Sequence, residues 1–231
     1  MGLELGAQRA PAMLRERYRA LTDELAEVTR AAGRSNVPVA ILAVTKQQSR
    51  ERILEAIDAG ATDIGENYLQ EARPKFEALP RVRKHFLGHV QTNKAPGIVQ
   101  TFDIVQSVDR IDAGRALAKA ARAAGKALPV LVQVNISPVE RHGASPADAP
   151  RLADQLRDEG LKVDGVMAIG PQGCDHDELR RAFERAAAVF ARVGGSTLSL
   201  GMSTDWREAV ACGSTMIRIG ASLFGSREAR L

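Results

Sequence analysis

The most apolar run in the chain is Val37-Pro38-Val39-Ala40-Ile41-Leu42-Ala43-Val44-Thr45-Lys46, and it ends in a primary amine. A short, continuously hydrophobic segment is typical of a strand in a parallel sheet that helices cover. A lysine at the end of such a strand is either solvated or ion-paired, or it is kept for its nitrogen, because a desolvated ammonium loses its proton readily and can form a Schiff base with a carbonyl group. Most lysines are exposed, so the first interpretation is the default for Lys46 taken alone.

Seven further strand-like runs follow, and amphipathic helical stretches alternate with them to the end of the chain. The strand candidates are residues 37–44, 62–65, 85–88, 103–107, 129–135, 162–169, 197–200 and 215–219. Eight β/α units in about 200 residues predict an α/β fold of the (β/α)8 TIM-barrel type. Between the strands, Ser49 and Asp109 are predicted to cap helices that end at Gly60 and Gly125, and a later helix is predicted to end at Gly194.

An open, doubly wound sheet is the structural alternative to the barrel. The first turn between strand and helix, residues 44–49, contains no GxGxxG or P-loop glycines, so the nucleotide-binding versions of that fold lose support. Ahead of the first strand, apolar residues recur at helical spacing from Leu14 to Val28 and predict an N-terminal helix over residues 11–33, packed outside the barrel. We expect residues 1–10 to be flexible and residues 1–231 to form a single domain.

Composition excludes several classes of protein. A hydrophobic content of 45% and a charged content of 26% are ordinary for a soluble globular chain. The net charge of +4 is dispersed, so we expect no nucleic-acid partner. Cys174 and Cys212 lack a disulfide or zinc spacing, and no stretch approaches the length of a membrane span, so we expect a cytoplasmic protein without a metal site and without a membrane partner.

Barrels carry their functional residues at the C-terminal ends of the strands, where Lys46 lies. The last two strands run into Ser199-Leu200-Gly201-Met202-Ser203-Thr204-Asp205 and into Arg218-Ile219-Gly220-Ala221-Ser222. Backbone at Gly201 and Gly220 can approach an anion closely, and we predict that Ser203 and Ala221 open helices whose N–H groups bind phosphate. Each segment alone could be a simple turn. With an amine on the first strand facing both, they indicate a ligand that carries a phosphate and an aldehyde.

The chain resembles the YggS/PROSC-type pyridoxal phosphate homeostasis proteins from residue 39 to residue 225. The matching motifs are Ala43-Val44-Thr45-Lys46, Gly65-Glu66-Asn67-Tyr68-Leu69-Gln70-Glu71, His85-Phe86-Leu87-Gly88, Gln91-Thr92-Asn93-Lys94, Ser199-Leu200-Gly201-Met202-Ser203-Thr204-Asp205 and Arg218-Ile219-Gly220. This sequence departs from the family pattern at Lys84, His89 and Arg141, which affects the rim of the site more than its centre.

The resemblance implies a single barrel similar to the N-terminal domain of alanine racemase, with pyridoxal 5′-phosphate (PLP) held as a Schiff base on Lys46. It further implies that the phosphate lies against Ser203, Gly220 and Ala221, with Met202 in the same motif, and that Arg218 faces the pyridine nitrogen. Asn67 is expected near the cofactor because it ends the second strand.

Alanine racemase needs a second base, a tyrosine supplied by another domain of the partner subunit, and the only tyrosines here are Tyr18 and Tyr68. We therefore predict a monomeric carrier that buffers or delivers PLP, with PLP-dependent apoenzymes as partners and no catalytic residues. A weak PLP-dependent amino-acid racemase and a phosphate-binding barrel without cofactor are the alternatives.

Overall fold

The computed structural model describes residues 4–225. Eight parallel strands form a closed barrel in sequence order, and each strand pairs with its sequence neighbours until β8 pairs with β1. The strands are β1 (Ala40–Val44), β2 (Asp63–Glu66), β3 (Arg83–Phe86), β4 (Ile104–Val108), β5 (Pro129–Val134), β6 (Lys162–Ala168), β7 (Thr197–Ser199) and β8 (Met216–Ile219). The predicted TIM barrel and its eight strands are confirmed, with ends that differ by up to three residues.

Helices separate the strands and surround the barrel. They are α1 (Glu4–Ala31), α2 (Arg50–Asp58), α3 (Leu69–Phe76), α4 (Ala95–Thr101), α5 (Ile111–Ala123), α6 (Ala149–Asp158), α7 (His176–Val193), α8 (Trp206–Ala211) and α9 (Ala221–Phe224). Within residues 4–225, none of them is long and apolar enough to cross a membrane.

The N-terminal helix α1 precedes the barrel and packs outside it, against α2, α8 and α9. Its buried side chains Leu14, Leu21 and Leu25 belong to the stripe that the sequence predicts. The helix begins at Glu4, earlier than the predicted residue 11. Residues 4–10, for which flexibility is predicted, are therefore helical, and residues 1–3 lie outside the described residues.

Side chains alternate between two environments along β1, as the period of a strand requires. Ile41 and Ala43 belong to the hydrophobic cluster that the strands form with the helices. Leu42 lies between them, is fully buried and does not belong to that cluster, because it points into the barrel. The interior also contains buried polar side chains from several strands, including Asp63, His85, Gln106, Ser199 and Arg218.

Two predicted helix starts are wrong. Asp109 does not cap α5, whose N-cap is Arg110 without a side-chain bond, because Asp109 lies one residue earlier, at the end of β4. Ser203 does not open a helix, since it lies in a turn and α8 begins at Trp206 after the N-cap Asp205. Ser49 is confirmed as the cap of α2, and Ala221 is confirmed as the first residue of α9.

Candidate functional site

Lys46 follows β1 at the C-terminal end of the barrel and is half-buried. The residue before it, Thr45, fixes this end of β1 to β2, since its backbone N–H and its hydroxyl both donate to the carbonyl of Gly65 at 2.8 and 3.0 Å. Among residues 13–225, whose side chains the structure describes, no carboxylate or carbonyl group pairs with Nζ of Lys46. The ion-paired interpretation of this lysine is therefore not supported, and the amine remains available to a ligand.

A cluster of charged side chains holds the backbone on both sides of Lys46. Nζ of Lys75, on α3, lies 2.9 Å from Oε2 of Glu71, 3.2 Å from Oε2 of Glu66 and 3.5 Å from the carbonyl oxygen of Thr45. Oε2 of Glu71 also accepts a hydrogen bond from the N–H of Gln47 at 3.3 Å. Because the residues before and after Lys46 are both tied to α3, the direction in which the lysine leaves the strand is restricted.

Glu66 is the buried member of this cluster. Its side chain is fully buried, and burial raises the pKa of its carboxyl group even though Lys75 and the N–H of Asn67 act in the opposite direction. The second carboxylate oxygen accepts that N–H at 2.8 Å. Glu66 therefore positions the start of the segment that carries Asn67, at the end of the neighbouring strand.

Arg218 is buried inside the barrel near the end of β8. Its Nη1 donates to the carbonyl and the hydroxyl of Ser199 at 2.7 and 2.8 Å, and its Nη2 donates to the carbonyl of Ala168 at 2.8 Å. Burial lowers the pKa of Arg218 to about 10, with Asp205 acting in the opposite direction, so the guanidinium stays charged at neutral pH.

The Nε–H group of Arg218 has no hydrogen-bond partner among the described residues. Among the side chains of residues 13–225, however, the only fully buried nitrogen or oxygen without a hydrogen-bond partner is Oδ1 of Asp109. Nε of Arg218 is therefore not completely enclosed. The guanidinium is held on one side by the protein and keeps one donor for a ligand.

The two glycine-containing loops adjoin each other and the end of β1. The N–H of Arg218 donates to the carbonyl of Gly201 at 2.9 Å, which joins the loop after β7 to β8. A methyl group at Gly220 would lie 3.6 Å from Cβ of Val44, two residues before Lys46. The structure therefore brings the ends of β7, β8 and β1 to one side of the barrel mouth, which we define as the C-terminal ends of the strands and the loops after them.

This side of the mouth offers several donors. The hydroxyl of Ser203 has no hydrogen-bond partner among the residues that the structure describes. Ala221 and Ser222 begin α9, so their N–H groups have no acceptor within the helix. Met202, the residue before Ser203, is half-buried in the same loop. These donors suit an anionic group.

A cavity of about 670 Å³ occupies the other side of the mouth. It lies among the loops that follow β2, β3, β5 and β6. Its polar lining residues are Asn67, His89, Gln133, Asn135, Glu140, Arg141 and His142. Asn67 is the only predicted cofactor residue that lines this cavity.

Sequence reasoning missed a group of polar residues at the mouth. His89, Asp109 and His142 follow β3, β4 and β5, and their ligand-type atoms lie within 4.8 Å of one another. Nη1 of Arg110 lies 3.1 Å from Nε2 of His89 and 3.5 Å from Oδ1 of Asp109, so a cation already occupies this group. Burial, together with His142 and Arg110, lowers the pKa of His89. No sequence spacing signals this group, because its members come from separate loops.

Comparison with known proteins identifies the family. The family model of the alanine racemase N-terminal domain matches residues 17–228. A pyridoxal phosphate homeostasis protein of Pseudomonas aeruginosa is 38% identical over 208 residues, which cover 87% of this chain and 90% of the relative. One of Escherichia coli is 34% identical over 221 residues, which cover 89% and 93%. The chain belongs to the pyridoxal phosphate homeostasis protein family.

Solved structures agree with this membership. PipY of Synechococcus elongatus, a member of the same fold whose structure contains bound PLP, is similar with a TM-score of 0.80 and 32% identity, covering 92% of this chain and 100% of PipY. Alanine racemase of Bartonella henselae is similar with a TM-score of 0.74 at 15% identity, covering 94% of this chain and 59% of the racemase, which shows the fold alone.

Proposed function

We propose that this chain binds pyridoxal 5′-phosphate as a Schiff base on Lys46 and buffers or delivers it, without turning over a substrate. The observation that carries the proposal is the unpaired amine of Lys46, half-buried on the side of the mouth that also contains Arg218 and the donors of two loops. PipY, similar over 92% of this chain, was solved with PLP bound. The recipients would be PLP-dependent apoenzymes in the cytoplasm.

The proposed contacts with PLP use side chains and backbone N–H groups at the mouth of the barrel. Ser203 and the N–H groups of Gly220 and Ala221 would bind the phosphate, and Met202 would line the same loop. The Nε–H of Arg218 would donate to the pyridine nitrogen. Asn67 would contact the cofactor from the side of the cavity.

Arg218 also affects whether bound PLP would turn over a substrate. Bound PLP supplies an aldehyde that reacts with amines and, in enzymes, a ring that stabilises carbanions. A fixed positive charge opposite the pyridine nitrogen disfavours protonation of that nitrogen, which weakens the ring in the second role. The residue that this chain presents to the ring therefore favours binding and release over carbanion chemistry.

Neither tyrosine is held by the protein as a second base at the mouth. The hydroxyl of Tyr18, on α1 outside the barrel, donates to the carbonyl of Gly60 at 3.1 Å. Tyr68 lies in the loop after β2, at the mouth, but its side chain is 54% exposed and no described residue holds its hydroxyl. The absence of an oriented tyrosine among the described residues supports a carrier more than a racemase.

A lysine substitution with a matched control tests the binding proposal. We expect purified protein mixed with PLP to develop a visible absorption band, Lys46→Ala to lose it, and Lys84→Ala to keep it. Lys84 is also half-buried, but it lies within β3, away from the mouth. A band of equal intensity in Lys46→Ala would overturn the assignment of the Schiff base.

Exchange of the α proton separates the carrier from the racemase. Holoprotein incubated with single enantiomers of amino acids in deuterated water should show no exchange above that of free PLP. Rapid exchange that depends on Lys46 would overturn the carrier proposal and favour a weak racemase.

A further inference from the structure

We propose that Gln106, oriented by His85, is a positioning residue that holds Arg218 through the hydroxyl of Ser199. The role of Arg218 toward the cofactor rests on the proposed function, whereas the hydrogen-bond chain itself does not. These side chains come from β3, β4, β7 and β8 and meet inside the closed barrel.

The chain of contacts is continuous. Nη1 of Arg218 lies 2.8 Å from Oγ of Ser199, which lies 2.8 Å from Oε1 of Gln106. Nε2 of Gln106 lies 2.8 Å from Nδ1 of His85, and Nε2 of His85 lies 2.8 Å from Oδ1 of Asp63. Arg83, at the opposite end of the barrel, pairs with the same carboxylate at 2.8 Å. A line of polar groups therefore crosses the barrel interior from β2 to β8.

With a neutral imidazole at His85, one arrangement of hydrogen atoms satisfies every member of this line. Nε2 of Gln106 donates one hydrogen to Nδ1 of His85 and the other to Sδ of Met216 at 3.2 Å. Both hydrogens have an acceptor when the amide nitrogen, and not the amide oxygen, faces His85. Nδ1 of His85 must then accept, which places the hydrogen of a neutral imidazole on Nε2, facing the carboxylate of Asp63. The tautomer of His85 thus determines which end of the Gln106 amide faces Ser199.

Gln106 in turn determines how Ser199 meets Arg218. A serine hydroxyl can donate one hydrogen and accept through its lone pairs. Because Oε1 of Gln106 accepts a hydrogen bond from the hydroxyl of Ser199, the lone pairs of that hydroxyl face Nη1 of Arg218. If the side-chain amide of Gln106 were turned by 180°, its nitrogen would donate to Oγ of Ser199, and the hydroxyl hydrogen of Ser199 would lose its acceptor. Nη1 of Arg218 would then share Oγ of Ser199 with the nitrogen of Gln106.

The location of the line argues against a purely structural role. Interior positions of a barrel are usually filled by branched apolar residues, and a polar group buried there costs free energy unless it is paired. Here His85, Gln106 and Ser199 are each no more than 1% exposed, and every one is paired. A row of paired polar residues that ends on the buried guanidinium of Arg218, whose Nε–H has no partner among the described residues, is what positioning of that guanidinium requires.

Two substitutions of one residue separate positioning from packing. In His85→Asn, the side-chain oxygen stands where Nδ1 stood and can still accept from Gln106. In His85→Gln, the amide nitrogen reaches Asp63 but Gln106 loses its acceptor. We expect His85→Asn to keep the PLP dissociation rate within about twofold of the native protein, and His85→Gln and Gln106→Leu to raise it roughly tenfold, the effect of losing one oriented hydrogen bond.

Nitrogen-15 NMR of the apoprotein tests the same claim without cofactor. The native protein should show a hydrogen on Nε2 of His85, none on Nδ1, and one ordered Nε–H signal for Arg218. His85→Asn should keep that signal, and His85→Gln and Gln106→Leu should shift or broaden it. A hydrogen on Nδ1 of His85, or an Arg218 signal that is the same in all variants, would overturn the proposal.

The two readouts also distinguish the inference from the function on which it rests. If the native apoprotein shows the predicted tautomer and ordered Arg218 but forms no complex with PLP, the proposed function fails and the hydrogen-bond chain stands. If the native protein binds PLP and the dissociation rates of the variants follow their melting temperatures instead of the hydrogen-bond pattern, the positioning role fails.

Discussion

The hydroxyl of Ser203 has no hydrogen-bond partner among the described residues, and we propose that it donates to the phosphate of PLP. We expect Ser203→Ala to weaken the binding of PLP by about 1–2 kcal/mol, the contribution of one hydrogen bond to a charged group. Equilibrium dialysis measures this change. Ser196→Ala is the control, because Ser196 lies at the opposite end of β7, where its hydroxyl donates to Asp164. Unchanged affinity in Ser203→Ala would mean that backbone groups alone hold the phosphate.

Asp63 contributes stability that depends on pH. Burial opposes its ionisation, but hydrogen bonds from His85, Arg83 and Thr62 outweigh burial and lower the pKa of Asp63 to about 2 from 3.8. Because the folded-state pKa is depressed, the contribution is complete above about pH 4 and is lost as the pH falls toward about 2.

The measurement is denaturant unfolding of Asp63→Asn and of the native protein across this pH range. At neutral pH, we expect the substitution to lower the free energy of unfolding by up to ~2 kcal/mol. The difference should shrink between about pH 4 and about pH 2. A difference that stays constant over that range would show that packing, and not ionisation, accounts for it.

At the scale of single residues, the sequence could place candidate residues but could not show their surroundings. Lys46, Ser203 and Gly220 could be placed together because each lies at or near the end of a strand, and strand ends meet in a barrel, whereas the role of Arg218 was implied by the family resemblance. A position at a strand end does not show which side chains form hydrogen bonds or ion pairs around the residue. The link from Lys75 to Glu66 and to the carbonyl of Thr45 depends on how α3 packs, and only the structure reveals it.

Among the secondary-structure elements, α3 carries Lys75, which donates to the backbone beside Lys46 and forms an ion pair with the buried Glu66. We expect Lys75→Met to lower the free energy of unfolding by about 3–5 kcal/mol, because it leaves a carboxylate buried without its cation. Chemical denaturation at neutral pH measures this loss.

The double variant Glu66→Gln with Lys75→Met is the control for that prediction. It removes the buried charge together with its partner, so most of the lost stability should return. If the double variant is as unstable as the sum of the two single ones, the effect of Lys75 arises from packing.

Helices and strands were predicted well where a pattern extends over several residues. Helix starts were predicted poorly where the prediction depends on a single capping residue. All eight strands were found. Strands such as β1 and β5 contain a clear apolar run, whereas β2 (Asp63–Glu66) and β3 (Arg83–Phe86) are short and largely polar. The assignments of Asp109 and Ser203 as helix starts failed, since a short polar residue after a strand can equally belong to a turn. After β7 the chain makes a turn through Ser203 and Thr204 before α8 begins at Trp206.

For the molecule as a whole, the barrel was predictable and its interior was not. Alternating strands and helices, together with the absence of a nucleotide-binding turn, indicated a closed barrel. Which interior residues touch each other depends on closure, since Ser199 on β7 reaches Gln106 on β4 only across the barrel. The buried polar line therefore had no signature in the sequence.

The carrier proposal requires that no partner subunit completes the site. We expect sedimentation equilibrium to give the mass of one chain, 24.8 kDa, with and without PLP. The reason is that few large hydrophobic side chains are exposed among residues 13–225, namely Met13, Val37, Tyr68, Val139 and Ile169. A stable dimer that places a tyrosine of the partner at the mouth would restore the racemase alternative.

Whether PLP is bound through Lys46 is tested by reduction of the PLP-loaded protein with borohydride, followed by mass spectrometry of its peptides. We expect one modified residue, Lys46, with the mass of a reduced pyridoxyl phosphate adduct. A protein without the adduct, or one in which the adduct lies on a different lysine while Lys46 is unmodified, would show that Lys46 does not form the Schiff base.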